Sequence, residues 1–66
     1  MATRIRVSGM TYETHAEVVE KAIRMADGVD SVETNLDDSV VTVDGDATTD
    51  DLVEKVEMAG YDAEPL

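Results

Sequence analysis

VDSVETNLDDSVVTVDG, residues 29–45, decides the fold. VDSVETNL and VVTVDG are strand-like runs, and the polar DDS between them is short enough to be a turn. The pair predicts an antiparallel hairpin, with room for a β-bulge or a longer loop. Outward on either side the period changes from that of a strand to that of a helix. Upstream, Val19, Ala22, Ile23 and Ala26 recur at i, i+3, i+4 and i+7 and form one apolar stripe. Thr14 with Glu17 three residues later has the form of a capping box. Glu20 stands four residues before Arg24 and can pair with it. DGV is expected to close this helix, with Gly28 as a left-handed cap.

Downstream, ATTDDLVEKVEMAG reads as a second helix. Thr48 is its expected N-cap, Asp50 and Asp51 suit its positive end, and Gly60 stops it. Leu52, Val56 and Ala59 make its inner stripe, widened by Val53. At the two ends of the chain lie strands. TRIRVSG alternates, with Ile5 and Val7 on one face and Arg4 and Arg6 on the other. YDAEPL is long enough for a last short strand, which Pro65 restricts to a sheet edge or end. The order strand, helix, strand, strand, helix, strand predicts an α+β, ferredoxin-like βαββαβ sandwich. In it a four-stranded antiparallel sheet carries both helices on one face, which hides both apolar stripes.

Residues 1–66 are read as a single domain. A domain of this size buries only about 60% of its unfolded surface, so its stability margin is thin. With no cysteine, neither a disulfide nor thiolate-bound zinc can reinforce it. Sixteen acids against five Lys and Arg give a net charge of −11. Such a surface repels phosphates and anionic lipid, which argues against nucleic acid and membrane partners. No apolar run reaches transmembrane length and none resembles a leader, so a soluble, cytoplasmic monomer is expected. Many Asp, few Lys, small core residues and no Phe or Trp fit a halophilic host, in which molar salt screens the self-repulsion.

The segments GMTYETHAEVVEKAI, DGVDSV and VVTVDGDATTDDLVEKVEMAGYDA together resemble the heavy-metal-associated domain of copper chaperones, metal-transporting ATPase tails and mercury-binding proteins. Gly9, Met10, Thr11, Ala16, Val19, Glu20, Gly28, Gly60, Tyr61 and Ala63 are among the matching positions, and the likeness covers nearly the whole chain. The resemblance implies the ferredoxin-like fold and a metal-carrying role. The family's GMTCxxC pattern sets its two metal-binding cysteines at Tyr12 and His15. Met10 then corresponds to a methionine that packs under the loop, and Tyr61 to a tyrosine that lies near it in bacterial members.

Soft ions such as Cu(I) are selected by thiolates, whereas a phenol offers a hard oxygen and an imidazole suits borderline ions. The candidate metal residues are therefore His15 and Tyr12, with Met10 and Tyr61 supporting the loop and Glu13 and Glu17 flanking it. The cargo would be Cu(II), Zn(II) or Ni(II), held weakly. A competing reading makes His15 an exposed histidine beside the cap and the chain a metal-free interaction module. Either way the expected partner is a metal-transporting ATPase or another protein with a basic patch. No oxyanion donors, orienting third group or pocket-forming insertion accompany the Tyr–His pair, so no enzyme is expected.

Overall fold

The computed structural model describes residues 2–66. The elements are β1 (Ala2–Ser8), α1 (Glu13–Arg24), β2 (Val29–Asn35), β3 (Val40–Gly45), α2 (Thr49–Met58) and β4 (Asp62–Pro65). The four strands form one antiparallel sheet in the order β2-β3-β1-β4, the ferredoxin-like arrangement expected from the element order. The hairpin pairs Val32 with Val43, and a bulge falls between Val29 and Ser31. On β1, Ile5 faces Val41 and Val7 faces Ala63. β4 lies on an edge and ends at Pro65, where a missing N–H costs the sheet least.

Alternation fixes which side of the sheet is dry. Ile5, Val7, Val41 and Val43 meet Val19 and Ile23 of α1 and Leu52 and Val56 of α2, and all eight are essentially inaccessible to solvent. Each contributes about 1.5–3 kcal/mol by leaving water. No polar or charged side chain is buried among the described residues, so the core rests on aliphatic packing alone.

α2 begins as its sequence dictates, the Thr48 hydroxyl accepting from the Asp51 amide at 3.2 Å. α1 departs from expectation at both ends. Its α-helical hydrogen bonding stops at Arg24, with Met25 as C-cap, so Gly28 does not cap it but sits beyond an intervening turn with φ +89°. That turn delivers the Gly28 carbonyl to the Asp46 amide, 2.8 Å away, closing the base of the hairpin. The stripe is shifted as well. Ala16 is buried with Val19, Ile23 and Ala26, while Ala22 is only half-buried.

The acid excess is almost entirely uncompensated. Three ion pairs occur among the described residues, Arg6–Glu64 at 4.0 Å, Arg24–Glu20 at 3.4 Å and Lys55–Asp51 at 3.1 Å. Raising KCl from about 0.1 M to about 1 M shortens the Debye length from ~10 Å to ~3 Å and screens the repulsion among the remaining carboxylates. The melting temperature followed by circular dichroism is therefore expected to rise. A gain of about 1 kcal/mol would move it by roughly 4–8 °C in a domain of this size. A melt indifferent to KCl would show that self-repulsion does not limit stability.

Candidate functional site

Residues 9–12 link β1 to α1 and place three rings together. Met10 anchors this loop from below, 2% exposed and part of the hydrophobic core. Tyr12 follows as the N-cap of α1, in extended conformation with φ −117° and ψ 159°. Its carbonyl accepts from the amides of His15 at 2.9 Å and Ala16 at 3.1 Å.

The cap differs from the Thr14–Glu17 box expected from sequence. Both of those residues lie inside the helix, which starts at Glu13. His15, the third helical residue, reaches back instead. Its Nδ1 accepts from the amides of Thr11 at 3.2 Å and Tyr12 at 3.4 Å. The imidazole thus does for two orphan donors what a glutamate does at that position in a capping box.

The aromatic surroundings come from both ends of the chain. The Tyr12 ring stands edge-on to His15, centroids 5.4 Å apart and planes inclined at 66°. The Tyr61 ring lies on the other side of His15 at 6.0 Å and 57°. Tyr61 is positioned by the junction of α2 and β4, where its amide bonds to the Val56 carbonyl at 3.3 Å, and its ring lies over Gly9. Tyr12 is 67% exposed, whereas His15 and Tyr61 are half-buried. Tyr12, His15 and Tyr61 thus form one cluster, with Met10 beneath the loop. Glu13 and Glu17 are exposed on the first turns of α1.

This geometry limits the chemistry. A neutral imidazole whose Nδ1 accepts hydrogen bonds carries its proton on Nε2, so the outward nitrogen is a donor. To ligate a metal there, the ring has to move that proton to Nδ1 and turn away from two backbone amides, exposed bonds together worth about 1 kcal/mol. Capping and coordination compete for one side chain. Among the described residues no three His, Cys, Asp or Glu side chains are grouped so as to hold an ion.

Sequence reasoning missed the capping role of His15, because cap signatures are written for hydroxyls and carboxylates. It also missed an apolar groove between α1 and α2, lined by Val18, Met25 and Met58. Their exposed positions fall outside either helical stripe.

Comparison with known proteins shows the family. The family model for the heavy-metal-associated domain matches residues 4–62. The copper chaperone CopZ of Staphylococcus epidermidis is 39% identical over 61 residues, covering 88% of this chain and 90% of that protein. The N-terminal domain of PacS from Synechocystis superposes with a TM-score of 0.92 at 30% identity, over 100% of this chain and 97% of that one. The N-terminal domain of a potential copper-translocating P-type ATPase from Bacillus subtilis, solved in its Cu(I)-loaded state, gives 0.88 at 28% identity over 97% and 84%. Family model, relatives and fold agree along nearly the whole length: this cysteine-free chain belongs to the heavy-metal-associated domain family.

Proposed function

We propose that the chain is a metal-binding, chaperone-like module that has given up thiolate capture of soft ions. It takes a borderline transition ion, Cu(II), Zn(II) or Ni(II), weakly at His15. Tyr12 shields or completes the site, and Met10 and Tyr61 hold the loop in shape. The observation that carries this reading is the ring cluster itself, His15 lying 5.4 Å from Tyr12 and 6.0 Å from Tyr61 at the family's metal loop. The remaining ligands come from the partner to which the module docks, a metal-transporting ATPase or another protein with a basic patch; an ATPase domain is among its structural neighbours. The role is carriage rather than catalysis. The proposal extends to a monomeric, single-domain protein of a salt-rich cytoplasm, with no nucleic acid partner and no membrane insertion. No helix of the described residues is long and apolar enough to cross a membrane.

An amide NMR titration with Zn(II), Cu(II) and Cu(I) tests the site. Zn(II) is expected to shift, and Cu(II) to broaden, residues 10–16 and 61, with Cu(I) bound no better. His15→Ala is expected to abolish the response. The same substitution removes the acceptor of two helix-capping amides and is expected to cost about 1 kcal/mol in a urea melt without any metal. His15→Glu restores an acceptor and should recover most of that loss. A silent spectrum with all three ions would retire the metal reading.

A second reading is favoured by the engagement of Nδ1 with two backbone amides. There the imidazole is structural and the chain is a metal-free interaction module on the same scaffold. Partner binding that survives a chelator and tolerates His15→Glu would establish it.

A further inference from the structure

Val18, Met25 and Met58 are 46%, 75% and 74% exposed, a poor use of apolar surface unless something covers it. The three share one groove of about 500 Å³ between α1 and α2, whose lining also includes Ala22 and Ala59. Tyr12, His15 and Tyr61 take no part in it. Single exposed hydrophobic residues need no explanation, but a contiguous apolar patch marks a contact site. Thioether side chains are flexible and polarizable, and suit a surface that moulds itself to an incoming apolar face.

Charge identifies the occupant. Lys21 and Lys55 also line the groove. Lys55 is held by Asp51 at 3.1 Å, and Arg24, one turn from Lys21, by Glu20 at 3.4 Å. Among the described residues Lys21 is thus the one lysine or arginine of the two helices outside an ion pair, and Glu17, Glu54 and Glu57 have no ion-pair partner either. Glu54 stands four residues before Met58, and Glu17 is next to Val18. The groove's own charged lining is cationic, but Glu17 and Glu54 stand next to and one turn from its apolar residues, and in a chain of net charge −11 that apolar floor complements a cationic amphipathic helix. A second copy is a poor occupant, since it brings another −11 and a two-fold contact repeats the same patch against itself.

We propose that the α1–α2 groove docks a basic amphipathic helical segment of a protein partner. The segment's apolar side chains enter between Met25 and Met58, and its Lys or Arg side chains meet Glu17 and Glu54. This stands apart from the metal reading, because it uses none of the loop residues.

The test titrates the isotope-labelled chain with a synthetic helical peptide bearing leucines at i, i+4 and i+7 and lysines on its flanks. The control peptide carries glutamates in place of the lysines. Shifts are expected at Val18, Ala22, Met25, Met58 and Ala59, with affinity falling as salt rises and the glutamate peptide much weaker. Met25→Ser with Met58→Ser is expected to weaken binding by about tenfold or more. Both positions are on the surface, and an unchanged spectrum elsewhere verifies the fold. Glu54→Lys should weaken binding several-fold and flatten its salt dependence, whereas Lys21→Glu should tighten it. Three results would overturn the proposal: equal binding of the two peptides, shifts confined to residues 10–16 and 61, or insensitivity to the double serine variant. A concentration-dependent dimer in sedimentation that the serine variant dissolves would assign the groove to a second copy instead.

Discussion

Gly45→Ala is expected to destabilise the domain by about 3 kcal/mol or more, enough to leave much of it unfolded at room temperature. At stabilities of roughly 0.05–0.15 kcal/mol per residue, a chain of this length has only about 3–10 kcal/mol in total. Gly45 ends β3 with φ +134°, a region that L side chains rarely adopt. A Cβ there would overlap the carbonyl oxygen of Gly28 and lie 2.9 Å from the Asp30 amide nitrogen. Both obstacles are backbone. The Gly28 carbonyl is fixed by the Asp46 amide at 2.8 Å, and the neighbouring residues form the bulge at Val29 and Ser31. Relief therefore means opening the start of the hairpin rather than turning a side chain. Gly60→Ala provides the control. Its φ is +97°, yet nothing lies within 4 Å of the added methyl, so only the left-handed penalty of about 1–2 kcal/mol applies. Urea melts of the two variants separate steric overlap from backbone preference. Equal losses would mean that the hairpin base yields easily.

The contrast between these glycines marks the limit of what the sequence discloses. It marks Gly28 and Gly60 as helix stops, but not that Gly28 and Gly45, seventeen positions apart, press backbone against backbone. The element order was legible because each segment carried a consistent signal: alternation around Ile5 and Val7, a helical stripe through Val19 and Ile23, and a hydroxyl at Thr48 in the right place for α2. Where the signal belonged to another physical device, the reading went astray. Thr14 and Glu17 have the spelling of a capping box, but the helix starts earlier because His15 supplies the acceptor from its third position. Ala16 rather than Ala22 reaches the core, since the stripe's rotation is set by contact with the sheet. Tyr61 could be assigned to the loop only through family resemblance, as no local rule brings residue 61 to residue 15. The meeting of Met25 and Met58 was equally hidden, being a consequence of how two helices lie side by side.

Tyr12→Cys combined with His15→Cys is expected to produce the largest functional change, turning a chain with little affinity for Cu(I) into a tight Cu(I) carrier. Two thiols separated by two residues would stand at the N-terminus of α1, where backbone amides and the helix dipole favour the thiolate. Thiolates select Cu(I), whereas the native phenol and imidazole offer a hard oxygen and a nitrogen already engaged. A move from about millimolar to about nanomolar binding corresponds to ~8 kcal/mol. The buried Met10 and the Tyr61 ring over Gly9 are untouched, so the loop that presents the thiols keeps its supports. One cost is built in: without the imidazole the Thr11 and Tyr12 amides lose their acceptor, and the metal-free variant should be about 1 kcal/mol less stable than the native chain. Cu(I) then more than reverses the deficit, because ligand at about a thousand times Kd adds ~4 kcal/mol to the folded state. Competition against a chromophoric Cu(I) chelator under anaerobic, reducing conditions gives the affinity, and paired melts give the crossover. Each single cysteine variant should fall between the native chain and the double variant, since neither completes the thiolate pair. If the double variant folds yet competes no better than the native chain, the loop is not a metal cradle with its sulfurs exchanged for rings, and the fold has been kept for docking alone.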